Sequence, residues 1–215
     1  MSNIDILYED KSILVLDKPA GVPVQTARAG LKDIESMARS YRKQKGEPPE
    51  IYVVHRLDQP VSGILLMAKT SEAAAKLSKG LDGDSFSKKY RAEVYLSKEI
   101  PEEGTLRDYL LKDKSNTSKV VPKGTQGAKE AILSYHVVEK GERTETLEIL
   151  LKTGRHHQIR VQLSSAGVPI LGDLKYGSPE SIALSKGRKI ETVALSAVEL
   201  EFIHPETGKP MKFAL

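Results

Sequence analysis

The 215-residue chain contains no cysteine, which removes a disulfide framework, a zinc–thiolate site and a thiol nucleophile together. No apolar run comes near the ~20 residues a helix needs to cross a bilayer. No charged-then-apolar leader follows Met1. A cytoplasmic protein without membrane contact is therefore expected. Nucleotide-binding signatures are missing as well. Gly124-Thr125-Gln126-Gly127-Ala128-Lys129 has the wrong glycine spacing for a P-loop, and no dinucleotide fingerprint occurs. No cofactor is expected. Metal binding is set aside too, because adjacent His156 and His157 would point in different directions on a helix and have no acidic partner at ligand spacing.

What remains is an ordinary globular composition, 39% hydrophobic and 29% charged. The length suffices to bury a sizeable core. Thirty-three basic against 29 acidic residues give a net charge of +4. That balance permits nucleic-acid binding and equally fits a solvated, mixed-charge surface.

The densest chemistry lies in His55-Arg56-Leu57-Asp58-Gln59-Pro60-Val61-Ser62-Gly63. The apolar runs Ile51–Val54 and Ile64–Met67 flank it, and both read as buried strands. Pro60 and Gly63 mark a turn between them. On the residues alone, Asp58 either caps that turn or does chemistry. A second dense stretch runs from Leu151 through Thr153-Gly154-Arg155-His156-His157-Gln158-Ile159-Arg160 to Leu163. Here Thr153 or Gly154 is read as a helix start and Gly167 as its end, with His156 and Arg160 on one face.

The stretch from His55 to Lys69 resembles the catalytic-aspartate motif of the RluA-type RNA pseudouridine synthases. That motif is His-Arg-Leu-Asp, two variable residues, Thr-Ser-Gly and an apolar strand. Other landmarks of the family follow in order: Lys18-Pro19-Ala20-Gly21, the strand around Tyr90, the Thr153–Arg160 stretch, Gly167–Asp173, Tyr176-Gly177 and the closing Leu200–Gly208. The resemblance covers about residues 4 to 213. Departures fall at Val61, His156, Gln162 and Ser196, where threonine, threonine, histidine and histidine are usual.

The resemblance implies a single catalytic domain over residues 1–215, without an S4-like RNA-binding module. It implies an α+β pseudouridine synthase fold: a central mixed, largely antiparallel sheet with flanking helices and an active-site cleft. The implied activity is isomerisation of uridine to pseudouridine in ribosomal or transfer RNA, by a monomer and without a cofactor. Asp58 is the implied catalytic aspartate, as nucleophile or as base, and Arg160 its arginine partner. Tyr90 stacks on the uracil or assists proton transfer. Arg56 takes the space that a flipped base vacates, Leu151 forms the apolar side of the pocket and Arg155 holds phosphates. His55 is grouped with these substrate-binding residues. A non-catalytic RNA-binding relative would lack Asp58 or Arg160, and a glycosidase would need a second positioned carboxylate.

Along the rest of the chain, Ile4–Tyr8 and Ile13–Leu16 read as a hairpin. Leu31 to about Lys45 reads as one helix, and Thr70 caps another that stops near Gly80. Leu81 to Ser87 is read as a loop in which Asp82 and Asp84 are turn residues. Tyr90, Ala92 and Val94 share one strand face. The polar stretch Thr105–Thr125, with Lys112, Lys114, Lys119 and Lys123, reads as a flexible charged loop or as a phosphate-tracking surface. Ala131–Val138 and Thr144–Leu151 read as paired strands.

Overall fold

Ile13–Leu16 and Ile64–Ala68 are unbroken apolar runs, and each forms a strand with nearly every side chain buried. Strands of this kind belong in the middle of a sheet covered on both faces. A computed structural model describes residues 4–28, 30–81, 83 and 85–215. Asp82 and Asp84, expected as turn residues, lie outside the described residues. In chain order the elements are β1 (Asp5–Glu9), β2 (Ile13–Lys18), α1 (Ile34–Gln44), β3 (Tyr52–Val53), β4 (Ser62–Ala68), α2 (Ser71–Gly80), β5 (Phe86–Tyr95) and β6 (Glu103–Lys112). They continue with β7 (Ser118–Val121), β8 (Lys129–Lys140), β9 (Thr144–Leu151), α3 (Gln158–Ser165), α4 (Pro179–Gly187), β10 (Leu195–Ile203) and β11 (Pro210–Ala214). The chain divides into two compact units, residues 1–88 with 196–215, and residues 89–195.

In the first unit the strand order is β1-β2-β4-β10, with β11 on β10 and β3 on β4. β1, β2 and β4 pair antiparallel, whereas β4 and β10 run parallel through Ser62–Ser196 and Gly63–Ala197. That one parallel pairing makes the sheet mixed. Ile13, Val15, Ile64, Leu66, Leu77 and Phe202 form the core. Burying such a side chain is worth about 1.5–3 kcal/mol. Asp33 caps α1 through a reciprocal pair with Ser36, and Thr70 caps α2 by accepting from the Ala73 N–H. Both caps satisfy donors that a helix start leaves without partners. Leu31, expected inside α1, lies before its cap.

The second unit orders its strands β5-β9-β8-β6-β7, with every pair antiparallel. Tyr90, Ala92 and Val94 are buried on one face of β5, as their alternation requires. Leu147 and Ile149 of β9 stand opposite Ala92 and Tyr90.

Four further expectations need correction, and one helix was not foreseen. The run Ile51–Val54 yields only the two-residue β3, with Tyr52 exposed, because it meets just Met67 and Ala68 at the end of β4. β5 begins inside the expected 81–87 loop, at Phe86, whose ring packs in the core. The polar stretch 105–125 is largely strand: β6 and β7 pair from Tyr109–Val121 to Lys112–Ser118 around a turn organised by Asp113. α3 starts at Gln158, well after Thr153, and His156 precedes it. α4 was not foreseen, although Ser178 caps it and Pro179 opens it.

Candidate active site

The candidate residues fall in both units. In the first unit, Asp58 opens a β-turn in which the Val61 N–H donates to the Asp58 carbonyl at 3.0 Å. The Asp58 side chain is half-buried, Leu57 before it is buried and Arg56 is exposed. Two residues past the turn, Gly63 has φ +110°, and a Cβ there would stand 2.3 Å from the Ala197 carbonyl oxygen. Only glycine lets β4 and β10 come together at that point.

The turn is fastened from below by a residue to which sequence reading gave no role. Lys18, the last residue of β2, is fully buried. Its ammonium donates to the carbonyls of Pro19 at 2.9 Å, Val22 at 2.8 Å and Gln59 at 3.2 Å. Gly21 N–H also donates to Gln59 O, and the Gln59 amide donates to Gly21 O. The 19–22 loop and the Asp58 turn are thus zipped into one body. Burial pushes the Lys18 ammonium down to about 8, against the pull of the Asp58 and Asp17 carboxylates. A lysine closing a strand that opens with four apolar residues, followed by Pro-x-Gly, was the available signal.

His55 is placed in the core instead of on a surface for substrate. Its Nε2 accepts the Leu66 N–H at 3.1 Å, so the proton sits on Nδ1. Burial pushes its pKa to about 3, helped by the charge of Lys88. Along this edge β4 pairs with β10 at Ser62 and Gly63 and with β3 at Met67 and Ala68. Leu66 lies between those pairings, and a buried N–H there needs an acceptor. The imidazole supplies it while its ring meets the Phe86 ring edge-on.

In the second unit Tyr90 is buried on β5 opposite Ile149, and Leu151, two residues further along β9, shares that face. The segment after Leu151 is tied to β8. Thr153 Oγ1 accepts the Ile132 N–H, and Gln158 Oε1 accepts from Thr153 Oγ1 and the Arg155 N–H. Gln158 Nε2 donates to the Ile132 carbonyl. These bonds hold 153–157 out of helical geometry. His157 then takes the left-handed conformation, φ 53°, immediately before α3. At the far end Gly167 N–H donates to Ser164 O and Val168 N–H to Leu163 O, a Schellman close with Gly167 at φ +83°. Arg155 is exposed, its Nε bonded to the Glu130 carbonyl.

Arg160, in the first turn of α3, is buried. It grips Asp173 with two parallel bonds, Nε to Oδ2 at 2.7 Å and Nη2 to Oδ1 at 2.8 Å. Sequence reading assigned Asp173 no role. The expectation that His156 and His157 point apart is also overturned. Their rings stack with centroids 3.7 Å apart, because neither residue is helical. Gln162, where histidine is usual, donates to Asp108 Oδ2 and to the Ala131 carbonyl. Among the described residues no three His, Asp or Glu side chains are grouped to hold a metal, and no helix is long and apolar enough to cross a membrane.

Comparison with known proteins gives this geometry its context. Residues 12–165 match the family model described as RNA pseudouridylate synthase. A ribosomal large subunit pseudouridine synthase D of Zymomonas mobilis is 32% identical over 217 residues, covering 98% of this chain and 68% of that protein. One of the same description from Pseudomonas aeruginosa is 34% identical, with 98% and 67% covered. Among solved structures, human RNA pseudouridylate synthase domain containing 4 shares the fold at a TM-score of 0.77 and 24% identity, over 98% of this chain and 87% of that one. The chain belongs to the RNA pseudouridylate synthase family and is an enzyme that isomerises uridine to pseudouridine in RNA.

Proposed function

We propose that the substrate is ribosomal RNA of the large subunit, as the names of the bacterial relatives state for those proteins, and that Asp58 begins the chemistry. The reaction detaches uracil from its sugar and rejoins it through carbon five, with no change of oxidation state. Asp58 serves as nucleophile or as base in the first step. The observation that carries this reading is the Asp58 turn. The turn, fastened by the buried Lys18 ammonium through three backbone carbonyls, carries the half-buried Asp58, with Arg56 exposed beside it.

A uridine inside folded RNA must leave its stack before the glycosidic bond can be reached, at a cost of a few kcal/mol. Arg56 fills the vacated space with its planar head. Tyr90 and Leu151 supply the aromatic and apolar walls of the base pocket, Arg155 holds a backbone phosphate, and Arg160 is the catalytic arginine. The chain works as one catalytic domain and as a monomer, in the cytoplasm. His55 is excluded from the list, since its place in the core supports a structural duty.

The test is Asp58→Asn in the full chain, with pseudouridine formation measured on transcripts of large-subunit ribosomal RNA and on transfer RNA. Turnover is expected to vanish while RNA affinity stays within about threefold, because phosphate contacts supply most of the affinity. Turnover within tenfold of the unaltered protein would refute the assignment of Asp58. Activity confined to transfer RNA would refute the ribosomal substrate alone.

A further inference from the structure

The geometry points to Tyr176 as a positioning residue that sets the plane of the Arg160 guanidinium, an inference that rests on the role proposed above for Arg160. Asp173 fixes two nitrogens of the fork, but a two-bond carboxylate pair still lets the guanidinium tilt about the line joining them. The Tyr176 ring lies 5.0 Å from the guanidinium carbon, where the cation meets the aromatic face, and so opposes that tilt.

The ring is itself held at both ends. At the backbone end, the Tyr176 N–H and the Lys175 N–H donate to Asp173 Oδ1, the same oxygen that takes Arg160 Nη2. Ser164 Oγ donates to the Tyr176 carbonyl at 2.6 Å. At the other end the hydroxyl accepts the Ser118 N–H of β7 at 2.9 Å and meets His157 Nδ1 at 2.7 Å. The His157 ring stands edge-on to Tyr176, and His156, stacked on it, reaches Ser118 Oγ at 2.8 Å. The turn beneath is equally tight: Gly177 N–H donates to the Asp173 carbonyl, and a Cβ on Gly177 would lie 2.4 Å from that oxygen.

One tyrosine therefore joins β7, the left-handed residue before α3, the buried carboxylate and the arginine. A phenylalanine would fill the same space. The hydroxyl adds the links to Ser118 and His157, so ring and hydroxyl can be tested separately.

The experiment compares Tyr176→Phe, Tyr176→Leu, Arg160→Lys, Arg160→Ala and the double variant Tyr176→Leu/Arg160→Lys in the full chain. Tritium release is measured from large-subunit ribosomal RNA transcripts labelled at carbon five of uridine. Tyr176→Leu is expected to lower kcat by roughly ten- to thirtyfold with KM within about threefold, the loss of a desolvated cation–aromatic contact. Tyr176→Phe is expected to lose about three- to tenfold, the worth of its hydrogen bonds, and to shift the imidazole nitrogen resonances of His157. The double variant is expected to be within about twofold of Arg160→Lys, since a misplaced or absent fork no longer responds to its platform.

If Arg160→Ala is inactive but both Tyr176 variants turn over at the unaltered rate, the positioning proposal falls and the Arg160 reading stands. If Arg160→Ala retains activity within tenfold, both fall. Should Tyr176→Leu fail to fold, Tyr176→Phe decides: an unchanged kcat overturns the proposal. Losses confined to KM, or multiplying independently in the double variant, also count against it.

Discussion

A histidine beside the aspartate proposed to be catalytic reads as functional chemistry, yet His55 does its work as an acceptor for one strand N–H. That duty has a pH signature. Its folded pKa of about 3 lies below the ordinary 6.5, so between those values the unfolded chain binds a proton that the folded chain refuses. Stability from this group is whole above 6.5 and is lost as pH falls toward 3, on the order of 5 kcal/mol over the full range. His55→Gln, whose amide oxygen can take the Leu66 N–H, is expected to flatten the decline in urea-unfolding stability between pH 6.5 and 4. Parallel curves for the two proteins would remove this explanation. Lys18 works in the opposite part of the scale. Its ammonium is held at about 8 against an ordinary 10.5, so the unfolded chain keeps its proton longer. The resulting penalty, on the order of 3 kcal/mol, is full below pH 8 and fades as pH rises to 10.5. Lys18→Met is expected to stay folded at pH 7, having shed that penalty along with three hydrogen bonds, and to lose turnover at least about tenfold because the Asp58 turn is no longer clamped. The stability of the unaltered protein relative to Lys18→Met should rise from pH 8 to 10. A variant with full turnover would show that the clamp is dispensable.

At the level of elements, α1 is fastened by charge as well as by its cap. Lys69 at the end of β4 sits 2.7 Å from Glu9 and 2.9 Å from Glu47, Lys45 bridges the same two carboxylates, and Arg42 adds a bond to Glu47. The Lys69 bond, opposed by burial and aided by Lys45 and Arg42, holds Glu47 down to about 2. Glu9 is lowered too, the lysine and Tyr41 bonds outweighing its burial. Depressed carboxylates stabilise above about 4.5 and lose that contribution as pH falls. Lys69→Met is expected to lower the thermal midpoint by roughly 3–8 °C and to reduce the steepness of acid unfolding between pH 4.5 and 2.5. An unchanged midpoint would mean the charges are merely solvated. Elements of this kind were legible where a side chain announces them: Thr70 before α2, the alternation through Tyr90, Gly167 after α3. They were not legible where tertiary pairing decides. The apolar Ile51–Val54 gives two residues of strand because β4 offers so few partners there. The polar 118–121 segment is strand because β6 does offer them. The Thr153 and Gln158 side chains cancel a helix start that periodicity favours. The same holds for the candidate site. Asp58 stood out through a dense local motif, whereas Lys18 reaches 41 residues on to Gln59 and Asp173 reaches 13 residues back to Arg160, so the Pro-x-Gly after Lys18 was the one local hint.

For the molecule as a whole, the expected response to salt follows from its partner. RNA affinity should fall with a log–log slope near −0.7 per neutralised phosphate on single strands, and roughly −0.9 on duplex by analogy with B-DNA. Filter-binding between 50 and 300 mM salt measures it, and a flat response would remove phosphate recognition from the account. The division into units has a further consequence, for the order in which the protein can be made. The first unit is written in two pieces, 1–88 and 196–215, with the whole of the second between them. On a ribosome adding about 5–20 residues per second, the neighbour that β4 meets at Ser62 and Gly63 does not exist until Ser196 and Ala197 are translated. Asp58 is therefore synthesised before the second unit, and the strand against which Gly63 is shaped only after it. A nascent chain that stalls after residue 195 would carry the whole His55–Gly63 motif and still lack the strand that pairs with β4 at Ser62 and Gly63.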